Sequence, residues 1–528
     1  MQPALASLLS GVLDGDEIIS PQASSLYSCD IFSEIGERFL VIRPKSIASL
    51  RSAVTLIARN GFSIVPRGAG LSYSSGYLPD EQRSVILDTT HLTRIIEINA
   101  DDLYVTVEPG VTWESLYQAL SPLGLRTPYY GPFSGRFATV GATVSQNSVF
   151  FGSAAYGSAA DSVLSLEILR PDGSVIATGS SASRFEATPF FRNYGPDLTG
   201  LFLSDCGAMG VKVKITLALL QIPPATAYLS AGFATAESML SVMSKIARTG
   251  VATECFAFDP FLLEARIASE GLKSDIGHLL RMSRAAARTL PEYTKLMLSA
   301  LKGRGDLRSS HWTIHLTVDG LTSPEVNHRR SLLEKMVESQ RGEVISDALP
   351  RLVRAKPFGP VNRILAADGE RWVPMHALVP HSRALDVMAA TNAFLESNRD
   401  VMREHGIRAG YLFMISGRNS LVIEPTFFWP DAHYEIHKTY IEPERYLTLP
   451  GHDRNVSARD AVSTLRQNLA RLYAERGCAH LQIGRFYPYL ESRTDEFSAL
   501  LWSVKSVVDV GNQMNPGSLG MKRKASEF

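Results

Sequence analysis

Cysteine is scarce here. Cys29, Cys206, Cys255 and Cys478 are the only four in 528 residues and form no CxxC pair, which argues against a disulfide framework and against a zinc site. A reducing compartment, the cytoplasm, is the expected setting. Net charge is absent too: 53 basic side chains balance 53 acidic ones, so no overall field draws the chain to nucleic acid or to an anionic membrane. Nowhere does an uninterrupted apolar run reach about 18 residues, which excludes a spanning helix and leaves peripheral attachment open. The opening "MQPALASLLSGVLDGDEIIS" has no basic leading region and meets Asp14 and Asp16 early, so it reads as an amphipathic helix and not as a signal. There is no internal repeat and no low-complexity segment. The one local basic run, Lys522-Arg523-Lys524, reads as a solvated end. What remains is an ordinary globular composition, 45% hydrophobic and 20% charged, long enough for two or three domains.

The first 225 or so residues alternate short β-like runs with helical ones. "FLVIRP", "FSIVPRG", "SVILDTT", "YVTVEPG" and "SLEILRPDGSVIATG" are rich in Val and Ile and bounded by Pro, Gly or Asp, as strands are. "SIASLRSAVTLIARNG" has helical spacing and stops at Gly61. "IPPA", Ile222 to Ala225, breaks the pattern and marks a boundary. Residues 226–456 carry new strand candidates, "HWTIHLTVDG", "MHALVPH" and "SLVIEPTFFWP", with helical runs between them, which suggests an α+β unit covering one face of an antiparallel sheet. From 457 to 528 a helical register returns and the chain closes on "NQMNPGSLG".

"VPRGAGLSYSSG", Val65 to Gly76, holds three glycines after a strand. Such residues permit positive φ and let successive backbone N–H groups converge on one point, a concave anion site suited to phosphate. A tight surface turn asks for the same glycines, so the motif alone leaves both readings open. No GK[ST] follows it, and "LSYSSGYLP" cannot open a helix as a GxGxxG fingerprint does.

"PRGAGLS", "VTVEPGVTW", "FATVGATVSQNS", "YGSAADSVLSLEILRPDGSVIATG" and "GPDLTGLFLSDCGAMGVKVKITLALL" follow one another in order. Together they resemble the FAD-binding domain of the vanillyl-alcohol oxidase and p-cresol methylhydroxylase (PCMH) superfamily, and "NQMNPGSLG" resembles its C-terminal flavin segment. The resemblance implies an α+β fold: a two-part PCMH-type FAD domain, a cap that chooses the substrate, and a C-terminal return to the FAD domain. It implies FAD as cofactor, with the pyrophosphate loop on Arg67, Gly68, Ala69, Gly70, Leu71 and Ser72. The second flavin segment falls on Thr139, Val140, Gly141, Ala142, Ser145 and Asn147, the stretch near the adenosine on Gly207, Gly210 and Val211, and a C-terminal contact on Asn515. Members that attach FAD through this loop have a histidine where Leu71 stands, and the cysteine of doubly attached members is missing from "GPFSGRFATVGA". Covalent attachment at these points is excluded, while attachment from the cap stays open.

"AHLQIGRFYPYL", Ala479 to Leu490, is similar to the "EHGIGLLKRPYL" pattern of the D-lactate and glycolate dehydrogenase branch. The likeness makes His480 the candidate base as a hydride leaves an alcohol-type carbon for flavin N5. Two features depart from that branch: Ala479 replaces the acidic neighbour, and "YLFMISGRNSLVIEP" lacks the "HxGDGNxH" metal ligands, so no metal is expected. The rival branch oxidises para-substituted phenols through a quinone methide, for which Tyr487 and Arg485 are the candidates, with Tyr129 and Tyr130 beside the flavin segment. A carboxylate substrate would need an arginine clamp, and Arg363, Arg354 and Arg485 are available. His311 with His315 and His433 with His437 lack a third ligand of evident spacing. His376 and His381, on a cap strand, and Glu424, a strand carboxylate that needs a partner, are second-line site residues. The expected partners are a small-molecule substrate and an electron acceptor (oxygen, a cytochrome or a quinone). A homo-oligomer is left open, and a flavin fold used only for binding is the remaining alternative.

Overall fold

The computed structural model describes residues 2–20, 24–269 and 311–523, so Lys524 of the basic tail lies outside the described residues. Strands Leu40–Ile42, Ser84–Asp88 and Ser63–Arg67 pair in that order and run parallel, with Ile18–Ile19 antiparallel on the outer edge. Parallel strands need a crossover, and helix Ile47–Arg59 supplies it. Its Leu50, Ala53, Val54 and Ile57 recur at helical spacing and are buried, and Ser46 Oγ accepts the Ser49 N–H at 3.1 Å. Gly61, at φ +71°, ends the turn where a side chain would be strained. Helix Gln2–Leu9 buries Leu5 and Leu9, the amphipathic element expected at the start.

A second sheet has five antiparallel strands in the order Ile95–Asn99, Tyr104–Val107, Val211–Ala218, Val163–Leu169, Val175–Ala177. "SLEILRPDGSVIATG" therefore makes two strands. The break is a turn in which Asp172 takes the Ser174 N–H at 2.9 Å and Gly173 adopts φ +83°.

The third sheet is the antiparallel unit expected of the cap. It has eight strands, from Glu343–Ile345 through Ala225–Phe233, Trp312–Gly320, Glu254–Phe258 and Arg408–Ser416 to Ser420–Trp429, on whose far edge Arg371–Pro374 and Ala377–Pro380 both pair. Alternation along the strands sorts the faces. Ala257, Ile314, Phe413, Leu421, Ile423 and Phe427 belong to the main core with helices Ala236–Thr249, Ser323–Glu338 and Ala384–Ser397. Phe256, Phe258, Leu412, Met414 and Val422 face the other way and pack against Val149 and Leu481. That second face packs on the stretch around Val149, and Glu424, in step with Val422, lies on the same side.

The chain then returns to its start. Helices Val456–Glu475 and Asp495–Val508 lead to a segment that extends the first sheet: the Ile64 N–H donates to the Gln513 carbonyl and the Asn515 N–H to the Ile64 carbonyl, each at 2.8 Å. Lys505 Nζ, buried, pairs with Asp509 at 2.5 Å and donates to the Ala208 and Met514 carbonyls. Among the described residues no helix is long and apolar enough to cross a membrane.

Candidate active site

A cleft enclosing about 930 Å³ of space, its solvent-open part included, runs between the first two sheets. The expected cofactor residues line it with two exceptions, Val140 and Asn515. Val140 is buried in the core and its N–H donates to the Val111 carbonyl. Asn515 is buried as well; its amide donates to the Gly76 and Cys206 carbonyls, so it ties the C-terminal segment to two cleft-forming stretches and does not itself line the cleft.

The loop's geometry answers the question that its glycines raise. The carbonyls are held: Tyr77 Oη donates to Gly70 and Ser72, and Tyr440 Oη to Ala69. Among the described residues the main-chain N–H groups of Gly68 through Ser72 find no protein acceptor, and consecutive free N–H groups suit an anion such as a pyrophosphate. No side chain would fit in the floor. A Cβ on Gly68 would lie 2.6 Å from Thr139 Oγ1 and 2.7 Å from Ala142 Cβ, and one on Gly141 would lie 2.5 Å from Pro109 Cβ. The Arg67 guanidinium does not reach for the cleft. It donates to the Cys29 and Leu26 carbonyls and lies over the Tyr77 ring at 4.7 Å, bracing the loop from beneath. Lys212 also lines the cleft, paired at 2.6 Å with Asp205, which takes the Gly207 and Met209 N–H groups and stiffens the turn around Gly207. These donors and small residues fit an extended dinucleotide, and the cofactor is FAD.

Beside the cleft stands a buried cluster. His480 Nδ1 lies 2.7 Å from the His376 carbonyl, so it carries the proton and donates. Its ring stacks on that of Tyr487, centroids 4.1 Å apart and planes at 13°. The Tyr487 hydroxyl in turn accepts the His376 main-chain N–H at 2.8 Å. His376 Nε2 faces Tyr73 Oη at 2.8 Å and Glu424 Oε2 at 3.3 Å. Gln482, a lining residue of the cleft, donates to Tyr73 Oη at 3.2 Å. Arg466 lies between the rings of Phe32 and Phe486, 4.1 Å from each, and donates to the Tyr73 carbonyl. Burial pushes the His480 imidazole down to about 4 and the Arg466 guanidinium down to about 10. It raises the Tyr73 and Tyr487 phenols, which stay protonated.

Other expected site residues are drawn elsewhere. Arg485, expected in the substrate pocket, donates to the Ser75 and Pro516 carbonyls and to Asn515 Oδ1 and so fastens the C-terminal segment. Arg354 is buried in an ion cluster with Glu254 and Asp319 that also takes in Tyr130 and Arg126. Arg363 sits on the cap turn Asn362–Ile364, where its carbonyl accepts from Trp372 Nε1, and does not line the cleft. Tyr129 is core, edge-on to Trp113. The strand expected to carry His376 and His381 covers only Ala377–Pro380, so both flank it, and His381, half-buried, bonds the Arg418 carbonyl. His311 precedes its strand, while His315 is a core residue bonded to Ser230 and Thr313, pushed by burial down to about 3. His433 bonds the Gly369 carbonyl and His437 accepts the Tyr434 N–H. No group of metal-ligating side chains occurs among the described residues. Tyr73, Arg466 and Gln482 went unread in the sequence. Arg466 alone carried a signal, as a charge on the apolar stripe of Val462, Leu465, Leu469 and Tyr473.

Comparison with known proteins supports the FAD-binding fold. The FAD binding domain family matches residues 40–179. Glycolate oxidase subunit GlcD of Bacillus subtilis is 27% identical over 330 residues, 62% of this chain and 68% of that protein. GlcD of Escherichia coli K12 is 30% identical over 243 residues, 46% of this chain and 45% of that one, so the chain matches under half of that relative's length. Among solved structures, p-cresol methylhydroxylase with substrate bound superimposes with a TM-score of 0.73 at 16% identity, over 98% of this chain and 97% of that one. Alkyldihydroxyacetonephosphate synthase does so with a TM-score of 0.67 at 15% identity, over 99% and 85%.

Proposed function

We propose that this chain, an FAD-dependent oxidoreductase with the PCMH-type fold, oxidises the alcohol carbon of a 2-hydroxy acid or a related alcohol. Bound FAD supplies the two-electron acceptor for the hydrogen on that carbon. The observation that carries the reading is the buried imidazole, phenol and carboxylate cluster one hydrogen-bonded residue from the cleft. An alcohol must surrender its O–H proton as its carbon is oxidised, and a neutral imidazole is the side chain suited to take it near pH 7.

His480, the base expected from the sequence, is held in that neutral form. With burial keeping it near 4 and Nδ1–H committed to the His376 carbonyl, Nε2 keeps its lone pair and has no partner among the described residues. Arg466, buried beside Tyr73, is the cation that suits an anionic substrate. The names of the relatives, glycolate oxidase and D-lactate dehydrogenase, support the 2-hydroxy-acid class. The electrons leave to an acceptor of the oxygen, quinone or cytochrome class.

One observation favours a second reading. Two phenols, Tyr73 and Tyr487, stand with one guanidinium, an arrangement that also suits a phenolate. Anaerobic bleaching of the flavin separates the two. Glycolate, D-lactate or D-2-hydroxyglutarate should bleach it at millimolar concentration, and 4-alkylphenols should not. Bleaching by the phenols alone would overturn the alcohol reading.

A further inference from the structure

Resting on the alcohol-oxidising reading above, we propose that His376 accepts the substrate's hydroxyl proton, with Glu424 as its positioning residue. Three features of the cluster lead there. The two residues that the sequence singled out both hold the His376 peptide: His480 Nδ1–H donates to its carbonyl and the Tyr487 hydroxyl accepts its N–H, at 2.7 and 2.8 Å, and the two rings stack. One peptide is thereby fixed from both sides, and the group being aimed is the His376 imidazole.

The second feature is the carboxylate. Ala479 stands where an acidic neighbour of His480 was expected, whereas His376 has Glu424 Oε2 at 3.3 Å from Nε2. With Nε2–H directed at Tyr73 Oη, 2.8 Å away, on the side where Glu424 stands, Nδ1 is left as a lone pair. His376 is 3% exposed, and its Nδ1 is buried with no partner among the described residues. A bare acceptor in such a place is destabilising until something donates to it. A substrate hydroxyl would do so.

Position is the third. Tyr73, bonded to His376 Nε2, follows Ser72 of the pyrophosphate loop, and its hydroxyl is held by Gln482 of the cleft wall. In the step itself the substrate O–H bond breaks and an N–H bond forms at Nδ1. The electron pair left on oxygen becomes the second carbon–oxygen bond as the carbon's hydrogen departs with its bonding pair to the cofactor. The alcohol is oxidised and the FAD reduced. Glu424 holds the resulting imidazolium, which gives its proton to water while the electron acceptor reoxidises the cofactor.

The test compares His376→Ala, Glu424→Gln and His480→Ala, each checked for one FAD per chain by its visible spectrum. The substrate is whichever of glycolate, D-lactate and D-2-hydroxyglutarate reduces the parent. His376→Ala should slow anaerobic flavin reduction about 10²- to 10⁴-fold, and free imidazole should restore part of the rate in that variant alone. Glu424→Gln should lower kcat by roughly 10-fold with little change in KM, an effect of the kind seen when an imidazole loses its orienting partner. A ¹⁵N-histidine NMR spectrum of the resting protein, with the His376 signal identified by its loss in His376→Ala, should show Nε2 protonated and Nδ1 bare. A protonated Nδ1, or imidazole rescue of His480→Ala and not of His376→Ala, overturns the assignment while leaving alcohol oxidation standing. A parent flavin that phenols reduce and no hydroxy acid does overturns the reading beneath it, and this assignment with it.

Discussion

Adding one methyl group to the glycine loop that lines the cleft is the sharpest perturbation of the proposed FAD site. At Gly68 a Cβ would lie 2.6 Å from Thr139 Oγ1 and 2.7 Å from Ala142 Cβ, about 0.8 Å short of ordinary contact. Neither neighbour can yield easily. Thr139 caps the helix Val140–Gln146, accepting the Ala142 N–H, and Ala142 is in its first turn. The loop must therefore retreat from the helix start, taking the free N–H groups of Gly68 to Ser72 with it. Overpacking of this kind costs about 1–3 kcal/mol. If that cost falls on the bound state, the Kd for FAD rises roughly 5- to 150-fold. Gly68→Ala should be titrated with FAD by fluorescence quenching alongside Gly36→Ala, whose Cβ would meet nothing within 4 Å. Thermal melts of both apo-proteins show how much of the cost falls on the fold itself. A Kd for Gly68→Ala within twofold of the parent's would refute the cradle geometry.

Two further outcomes follow from the same structure. Acid precipitation should release the flavin into the supernatant, since Leu71 offers no nucleophile; flavin in the pellet would place an attachment on the cap, and mass spectrometry would find it. Stability should fall on acidification through the buried histidines. His315 and His480 sit at about 3 and 4 in the fold against about 6.5 unfolded. Only the unfolded chain binds their protons between those values, so their contribution is complete above pH 6.5 and is lost as pH falls towards 4. From pH 6.5 to 5 each loses about 2 kcal/mol. His315→Asn should flatten the fall between pH 7 and pH 5 by about that much in urea melts, and an unchanged fall would refute it.

The glycines that line the cleft were legible because what they need is local. A glycine at a positive φ, or one with no room for Cβ, announces itself within a few residues, and the loop at Gly68 and Gly70 and the turn at Gly207 did so. The reactive cluster was only half legible, because its members come from distant parts of the chain. Tyr73 and His376 are 303 residues apart, and nothing near either one announces the other. Arg485 misled for a related reason. It is near His480 in sequence, but Gln482 at φ +51° and Gly484 at φ +56° turn the chain between them, which sends its side chain to Ser75 and Asn515. Arg354 and Tyr130 were read as possible pocket residues because an arginine or tyrosine gives the same letter whether it meets a substrate or a buried carboxylate, here Glu254.

The bond between Ile64 and the Gln513 to Asn515 segment has a bearing on how the protein is made. Gln513 also reaches the Phe62 carbonyl, a closure across 451 residues, and contacts of such sequence separation form late and slowly. A nascent chain that has delivered both glycine stretches to the tunnel exit still lacks the strand edge, the Lys505 anchor and the Asn515 tie. Apoprotein on the ribosome is thus a poor receptor for flavin. Loading therefore awaits synthesis through the Gln513 to Asn515 segment and its closure onto Ile64.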